Sequence, residues 1–358
     1  MIRKTYSRRS HAYIILFALL LVAAVALGVN GCSGDSHPSA PTKPREYTWR
    51  VDTIYVPNSS STEMYALWGF STSDVYIGGD LRGYAGKIWH FDGARWTPLR
   101  LSTEEGGTIP SMGNIRQLHG TNDGTLYGVG ERGDFTAFMI RYRNGRWTDI
   151  SPDSTRLLNS VFASDQSNVW VGGINGTVLH FDDNAWRFTP QALPLAIPPD
   201  ADPFWVNRSL AGGVGNNPAL LISVSLQSKY YFLELAGGAW RVFDSTDNTR
   251  RQLWYSPEGT LWAVGYGVHR WKGDSWESMY PELSVFGISG TSDKNIFVVG
   301  RYGTTARVFH FDGNDWFRFE QAELPNATFY KCWTNGIGLF VVGVLDGSPG
   351  KSIVLQGR

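Results

Sequence analysis

One phrase recurs along this chain, and it limits the possible folds more than any other feature. Residues 308–316 read Val-Phe-His-Phe-Asp-Gly-Asn-Asp-Trp, and related phrases begin at Ile88 and Val178, with a looser copy at Val268. Alternating apolar positions followed by Asp-Gly are typical of a strand, a tight turn and the start of a second strand. The recurrence of this hairpin predicts a fold built from repeated units.

The phrase lies within a longer repeat of four strands. In each repeat an apolar strand comes first, a second strand ends in Val-Gly or Gly-Gly, a third carries the phrase, and the fourth begins with Trp. The fourth-strand tryptophans lie 36 to 54 residues apart, a range that includes the roughly 40–50 residues of a propeller blade. The seven predicted units are 65–101, 115–150, 158–189, 206–243, 252–279, 285–319 and 328–358.

The seventh unit has three strands, whereas an additional strand precedes the first unit. Residues 46–55 have the pattern of a fourth strand and include Trp49. When this segment completes the seventh unit, the ring closes and no sheet edge is left exposed. The sequence therefore predicts an all-β domain over residues 46–358, a seven-bladed β-propeller closed by an N-terminal strand.

The repeats resemble those of bacterial propeller-repeat proteins. The recurring phrase is similar in general shape to kelch, Asp-box and sensor-propeller repeats, and the resemblance covers about 310 residues. Neither the Gly-His and Trp-Asp pair of WD40 repeats nor a full Ser-x-Asp-x-Gly-x-Thr-Trp box is present. The resemblance implies a fold and does not imply an activity.

The N-terminus has the pattern of an export signal. Four basic residues precede an uncharged apolar run over residues 13–29, which leads into the tetrapeptide Val-Asn-Gly-Cys ending at Cys32. This ending resembles the bacterial lipobox and implies a lipoprotein signal peptide over residues 1–31, with Cys32 as the lipid-modified residue. The alternative is an uncleaved membrane helix, because a run of about 17 residues is near the lower limit for a span.

Both interpretations attach the domain to a membrane and place it outside the cytoplasm. Residues 32–45 are rich in Ser, Pro and Gly and predict a flexible tether. Ser33 stands where an acidic residue can signal inner-membrane retention in some bacteria. We therefore expect a location in the bacterial cell envelope, at the outer rather than the inner membrane.

Composition and motifs exclude several classes of function. Charged residues make up 18% of the chain and its formal charge is zero, without the clustered Lys and Arg of a nucleic-acid surface. Cys332 lies in an apolar strand and is expected to be a buried, inert thiol. The glycines that end the second strands are interpreted as turn residues. No phosphate loop, Gly-x-Ser-x-Gly elbow or His-Glu-x-x-His motif occurs, so we predict no cofactor and no catalytic residues.

Histidines recur in the third strands, at His90, His180 and His310. Equivalent positions of different blades are spread around a ring, so they cannot meet within the ligand distance of about 2 Å that a metal requires. We therefore predict no metal site, and expect these side chains to pair with polar groups of neighbouring blades. The adjacent aromatic column is expected to form cross-strand pairs with the fourth-strand tryptophans rather than stacking platforms for sugars.

The resemblance implies that ligands meet the face that carries the loops between second and third strands and between blades. These loops combine both signs of charge with Tyr and Trp, a composition that suits a binding surface. Ordinary solvated loops are the alternative. The candidate binding residues are Asp80, Arg82, Tyr84, Glu131, Arg132, Asp134, Trp205, Tyr266, Arg301, Tyr302 and Asp346.

These observations favour a membrane-anchored, monomeric binding or scaffold module that recognises a protein or glycan through one propeller face. One alternative is a glycan hydrolase or lyase, which would need two carboxylates about 5–9 Å apart. Its candidates are Asp80, Glu131, Asp134 and Asp346. The other alternative is a purely structural envelope lipoprotein.

Overall fold

The structure is a computed structural model in which strands account for most of the described residues. It describes residues 43–56, 59, 62–81, 87–99, 113–153, 156–182, 187–195, 206–212, 218–224, 229–279, 284–347 and 351–358. The predicted export signal and Cys32 lie outside these residues. Among the described residues, no helix is both long and apolar enough to cross a membrane.

The described strands form seven antiparallel sheets in which, apart from the first strand beside the last and the two-residue strand Leu324–Pro325, strands that follow one another in the chain are adjacent in space. The strands are β1 (Trp49–Ile54), β2 (Thr62–Ser71), β3 (Asp74–Leu81), β4 (Ile88–Phe91), β5 (Trp96–Pro98), β6 (Asn114–Gly120), β7 (Leu126–Glu131), β8 (Ala137–Arg143), β9 (Arg146–Asp149), β10 (Leu158–Asp165), β11 (Asn168–Gly173), β12 (Val178–Asp182), β13 (Arg187–Pro190), β14 (Val206–Gly212), β15 (Pro218–Val224), β16 (Lys229–Ala236), β17 (Ala239–Thr246), β18 (Arg250–Tyr255), β19 (Leu261–Gly265), β20 (Gly267–Trp271), β21 (Trp276–Ser278), β22 (Ser284–Ser292), β23 (Asn295–Tyr302), β24 (Thr305–Phe311), β25 (Trp316–Arg318), β26 (Leu324–Pro325), β27 (Ala327–Thr334), β28 (Leu339–Leu345) and β29 (Lys351–Gly357).

The sheets are the blades of a ring. Blades one to six begin with β2, β6, β10, β14, β18 and β22, and blade seven consists of β27, β28, β29 and β1. The first strand of each blade contacts the first strands of both neighbouring blades, and β27 contacts β2. First strands therefore surround a central axis, and the prediction of an all-β, seven-bladed propeller is confirmed.

Blade seven combines the two ends of the described chain. β1 pairs antiparallel with β29, with Trp49 opposite Gly357 and Ile54 opposite Ser352. The Thr48 N–H donates to the carbonyl of Arg358 over 2.8 Å, and the Arg358 N–H donates back over 3.1 Å. β1 therefore covers an edge of β29 that would otherwise need other backbone partners.

The apolar core lies between the blades. Second strands such as β7 and β19 are buried along their whole length, which explains why their sequences read as continuous apolar runs. Between blades one and two, Ala66 and Tyr76 pack in one cluster with Ile115 and Leu118. Blade faces therefore stabilise one another, as expected for units that cannot bury their apolar faces alone.

The aromatic columns form cross-strand pairs, as predicted. Phe91 lies directly opposite Trp96 in the register, with ring centroids 5.1 Å apart. The equivalent Phe311 and Trp316 lie 5.0 Å apart. In addition, Trp96 Nε1 donates to Asp52 of β1 over 3.3 Å, so the fourth-strand tryptophan also joins neighbouring blades.

The third-strand histidines pair within their own blade, and the expectation of pairing between blades was wrong. His90 Nε2 lies 2.7 Å from Asp74 Oδ1, and the His90 ring stacks on Tyr76 at 4.5 Å. His90 is directly opposite Tyr76, so Asp74 is its diagonal neighbour on the same sheet face and within side-chain reach. The equivalent bonds in other blades are His180 to Asn168 and His310 to Asn295.

Side chains also satisfy the inner edges of the first strands. These edges carry backbone N–H groups that have no partner strand and need other acceptors. A side chain of the preceding blade supplies the acceptor. Among the described residues, four such bonds run from Val161 to Gln117, from Ala163 to His119, from Leu253 to Ser209 and from Thr334 to Ser289, over 3.1–3.3 Å. In a further bond of this kind, the Met64 N–H donates to Ser352 Oγ of blade seven over 2.6 Å.

Candidate functional site

One end of the propeller carries most of the predicted binding residues. In the registers of β2 with β3 and of β6 with β7, the start of the first strand lies opposite the end of the second strand. First-strand starts and second-to-third-strand loops therefore share one end of every blade. We call this end, which carries Asp80, Glu131, Tyr266, Arg301 and Asp346, the loop face.

Every first strand has a β-bulge close to the loop face. The register shifts by one residue at the same point in all seven blades. A bulged residue has no partner of its own across the ladder, and bulges are enriched where a side chain is redirected. The bulged residues, which we call the bulge ring, are Tyr65, Arg116, Asn159, Arg208, Arg251, Phe286 and Tyr330.

The glycines that end the second strands make room for this bulge, and their interpretation as turn residues was wrong. A Cβ atom on Gly130 would lie 1.7 Å from the carbonyl oxygen of Asn114, and one on Gly79 would lie 1.9 Å from that of Glu63. Gly265 has the same relation to Thr249, at 2.1 Å. Because the bulge brings first-strand backbone directly over the second strand, only glycine fits at these positions.

Members of the bulge ring from neighbouring blades contact one another. The Arg251 guanidinium lies over the Phe286 ring at 4.2 Å, and Phe286 meets Tyr330 edge to face at 5.6 Å. Burial, followed by the charges of Glu63 and Asp346, raises the pKa of Tyr330. Three adjacent blades therefore present one continuous surface of aromatic and cationic groups.

Glu131 is a predicted binding residue that the structure places in a buried ion pair. Arg116 donates to both Glu131 carboxylate oxygens over 2.7 Å, and Asn114 Nδ2 donates to Oε1 over 3.1 Å. The Glu131 side chain is almost fully buried, whereas Arg116 is partly exposed. The carboxylate therefore connects the bulge in the first strand of blade two to the end of the second strand.

Two more candidates stabilise the loop between β7 and β8. Arg132 Nη1 donates to the carbonyl of Ala137 over 2.6 Å, and its Nη2 binds Asp149. Asp134 Oδ1 accepts hydrogen bonds from the backbone and hydroxyl of Thr136, over 3.1 and 2.6 Å. These contacts hold the loop in one conformation. The Asp134 carboxylate serves this loop, and its contacts are with Thr136.

The residue between these contacts, Phe135, is 67% exposed and has φ of +63°. A bulky side chain rarely adopts this left-handed conformation, so the surrounding loop must impose it. Tyr266 and Tyr302, both predicted, are 62% and 57% exposed; Tyr266 lies between β19 and β20, and Tyr302 is the last residue of β23. Phe135 was not among the predicted residues, although an aromatic residue within the polar run Glu-Arg-Gly-Asp was a usable signal.

Three further charged candidates, Asp80, Arg301 and Asp346, form ion pairs. Arg301 Nη1 donates to Thr328 Oγ1 over 3.1 Å and Nη2 lies 3.6 Å from Asp346 Oδ2, so Arg301 joins blades six and seven. Asp80 lies 3.7 Å from the ammonium of the buried Lys87. The remaining predicted residues, Arg82, Tyr84 and Trp205, lie outside the described residues.

Sequence comparison with known proteins gives a partial match. No family model matches the chain. Immune protein Tsi7 of Pseudomonas aeruginosa is 29% identical over 112 residues, which are 30% of this chain and 31% of that protein. The chain therefore matches about a third of the length of this curated relative.

Three solved structures have a similar architecture. YCF48 bound to D1 peptide has a TM-score of 0.60 and 15% identity, covering 88% of this chain and 97% of its own. YCF48 from Cyanidioschyzon merolae has a TM-score of 0.61 and 14% identity, covering 86% and 98%. The β-propeller domain of Cps50 (Swd1) from Myceliophteria thermophila has a TM-score of 0.56 and 9% identity, covering 85% and 99%. At these identities the likeness shows the β-propeller fold alone.

Proposed function

We propose that this chain is a binding module that recognises a protein partner through its loop face. The observation that carries the proposal is the position of its exposed apolar side chains. Among the described residues, Tyr55, Phe135, Tyr266 and Tyr302 lie on the loop face, and three other large apolar side chains are exposed elsewhere. Aromatic side chains grouped on one face are typical of protein-binding surfaces.

The charges on this face favour a protein over a glycan. Arg301 and Asp346 are partly exposed and 3.6 Å apart, next to the aromatic group of the bulge ring. Complementary charges around an apolar centre orient a protein partner and exclude wrong ones. A glycan could stack on Tyr266 and Tyr302, but stacking alone does not call for paired charges.

Two of the similar proteins are compatible with this function. YCF48 has been solved with a bound D1 peptide, and the locally similar Tsi7 is an immune protein. The first description fits a propeller that works by holding another polypeptide, and the second names no ligand. The enzyme alternative has less support, because Glu131 and Asp134 are each engaged in structural hydrogen bonds.

The proposal includes attachment to the bacterial envelope. Its support is the basic, apolar and lipobox-like sequence that ends at Cys32. It also includes closure of the ring by β1, which the register of β1 with β29 supports. Lipid attachment would leave the propeller free to meet partners outside the cytoplasm.

The test compares two triple variants of the full-length chain in its native membrane. In the loop-face variant, Phe135, Tyr266 and Tyr302 are replaced by Ser. In the control variant, the exposed Val51, Val242 and Ile337 are replaced by Ser. After crosslinking and co-purification, we expect the loop-face variant to lose a protein partner that the control retains, with both variants equally folded. Equal capture by both variants would refute the proposal.

A further inference from the structure

A cavity of about 320 Å³ lies on the axis of the propeller and is lined by residues from the first strands of all seven blades. Alternate residues of a strand point to the same side, so a first strand can present two side chains to the cavity from positions two apart. Examples are Gln117 with His119 and Gln252 with Trp254. In these two pairs, and in Lys331 with Trp333, one member is polar and the other aromatic.

The aromatic members form a partial collar. The rings of Trp68 and His119 lie 4.5 Å apart, and those of His119 and Phe162 lie 5.2 Å apart. Burial lowers the pKa of His119 to about 4, so this imidazole is a neutral ring at pH 7. Blades four and six contribute only Ala211 and Ser289 at this level, which leaves the collar open at these two blades.

Lys331 is the one fully charged side chain among the described residues that line the cavity, and none of these lining residues is acidic. Its Nζ donates to Gln252 Oε1 over 2.9 Å. This bond joins blades five and seven across blade six. The residue of blade six at the position equivalent to Gln252 and Lys331 is Gly287, and a Cβ atom added to Gly287 would lie 2.9 Å from Lys331 Cα. An ammonium withdrawn from bulk water without an adjacent carboxylate favours binding of an anion.

We propose that this cavity binds a small aromatic carboxylate. The carboxylate would accept a charge-assisted hydrogen bond from Lys331, and the ring would stack on Trp254 or Trp333. A single ammonium balances the one negative charge of a carboxylate, whereas a phosphate monoester carries about two at pH 7. The volume is within the usual range for sites that hold small ligands. This site is separate from the proposed protein-binding surface on the loop face.

The test uses indole-3-acetate as the probe and the full-length chain in mild detergent. Calorimetry should show saturable binding of indole-3-acetate at pH 7, whereas the neutral indole-3-acetamide should bind about tenfold or more weakly. The Lys331→Met variant should lose this preference for the acid, and Lys331→Arg should keep it. Thermal unfolding verifies that each variant is folded.

A pH series isolates the contribution of Lys331. Burial lowers the pKa of Lys331 to about 8. The other titratable lining groups are His119, Cys332 and Tyr255; burial lowers the pKa of His119 to about 4, raises that of Cys332 and raises that of Tyr255 to about 12. Wild-type affinity for the acid should therefore fall between pH 7 and about 9.5, whereas the Lys331→Arg variant should keep its affinity.

Three results would overturn the proposal. They are absence of saturable binding by the wild-type chain up to about 10 mM probe, equal affinity for the acid and the amide, and unchanged acid binding by a folded Lys331→Met variant. None of these results bears on partner capture by the loop face, so the two proposals can fail separately.

Discussion

Arg116 and Glu131 form a bidentate ion pair in which both hydrogen bonds measure 2.7 Å. Arg116 occupies a bulge in the first strand of blade two, and Glu131 ends the second strand. The pair therefore holds in place the irregularity that directs side chains toward the loop face. Because the Glu131 carboxylate is buried, loss of the ion pair should lower the stability of the fold.

We expect Arg116→Met to lower the free energy of unfolding by about 2–3 kcal/mol, because it leaves the Glu131 carboxylate buried without its main partner. The double variant Arg116→Met, Glu131→Leu should recover part of this loss, since no charge then remains buried. Urea unfolding measures both values. A double variant less stable than the single one would contradict this explanation.

Gly130→Ala should destabilise blade two by about 2 kcal/mol or more, because the added Cβ would lie 1.7 Å from the Asn114 carbonyl and the bulge would have to shift. Gly133→Ala, three residues further along, provides the control. No atom lies within 4 Å of a Cβ there, so its effect should stay within about 0.5 kcal/mol. Thermal unfolding of both variants gives the comparison. Equal stability would show that the bulge is not constrained by the glycine.

Removal of β1 should destabilise the propeller, because the backbone groups of β29 that pair with β1 would lose their partners. A chain that begins at Tyr55 should melt at a lower temperature and aggregate more readily than one that begins at Lys43. Both truncations remove the predicted signal and tether, so the difference between them reports on β1 and the short segment before it. Identical melting would exclude a closing role for β1.

Stability should decrease on acidification between pH 6.5 and about 4. Burial lowers the pKa of both His119 and His310 to about 4, and the Arg45 charge contributes at His310. Below pH 6.5 the unfolded chain takes up protons that the folded chain excludes, so the free energy of unfolding falls as pH falls. The contribution is fully present above pH 6.5.

The variant His310→Asn identifies the source of this dependence. Its urea midpoint should change less between pH 6.5 and 4 than that of the wild-type chain, since one of the groups that exclude a proton in the folded state is removed. An unchanged slope would assign the acid sensitivity to other groups.

Cys32→Ala should release the protein from the membrane fraction if Cys32 carries the lipid and the signal is cleaved. Mass spectrometry of the wild-type chain should then find an acylated N-terminal Cys32. An uncleaved helix would instead keep the variant in the membrane fraction and leave Met1 or residue 2 at the N-terminus. The experiment therefore separates the two interpretations of residues 13–29.

The repeat phrase predicted the blade and its hairpin, because alternation and Asp-Gly turns are local properties of the sequence. It also predicted the pairing of Phe311 with Trp316, which are only a turn apart. The histidine pairing was mispredicted, because His90 and Asp74 become neighbours only when the second and third strands take their register. The strand-ending glycines were mispredicted for the same reason, since the backbone that approaches Gly130 comes from a different strand.

The sequence by itself determined the number of blades, the order of their strands and the buried Cys332, because each repeat encodes its own turns and apolar faces. Tertiary structure alone decided which side chains from different blades meet. Lys331 and Gln252 are 79 residues apart in sequence, yet they are joined by a hydrogen bond of 2.9 Å. Such pairs depend on how blades stack around the axis, and that geometry arises only when the whole ring has formed.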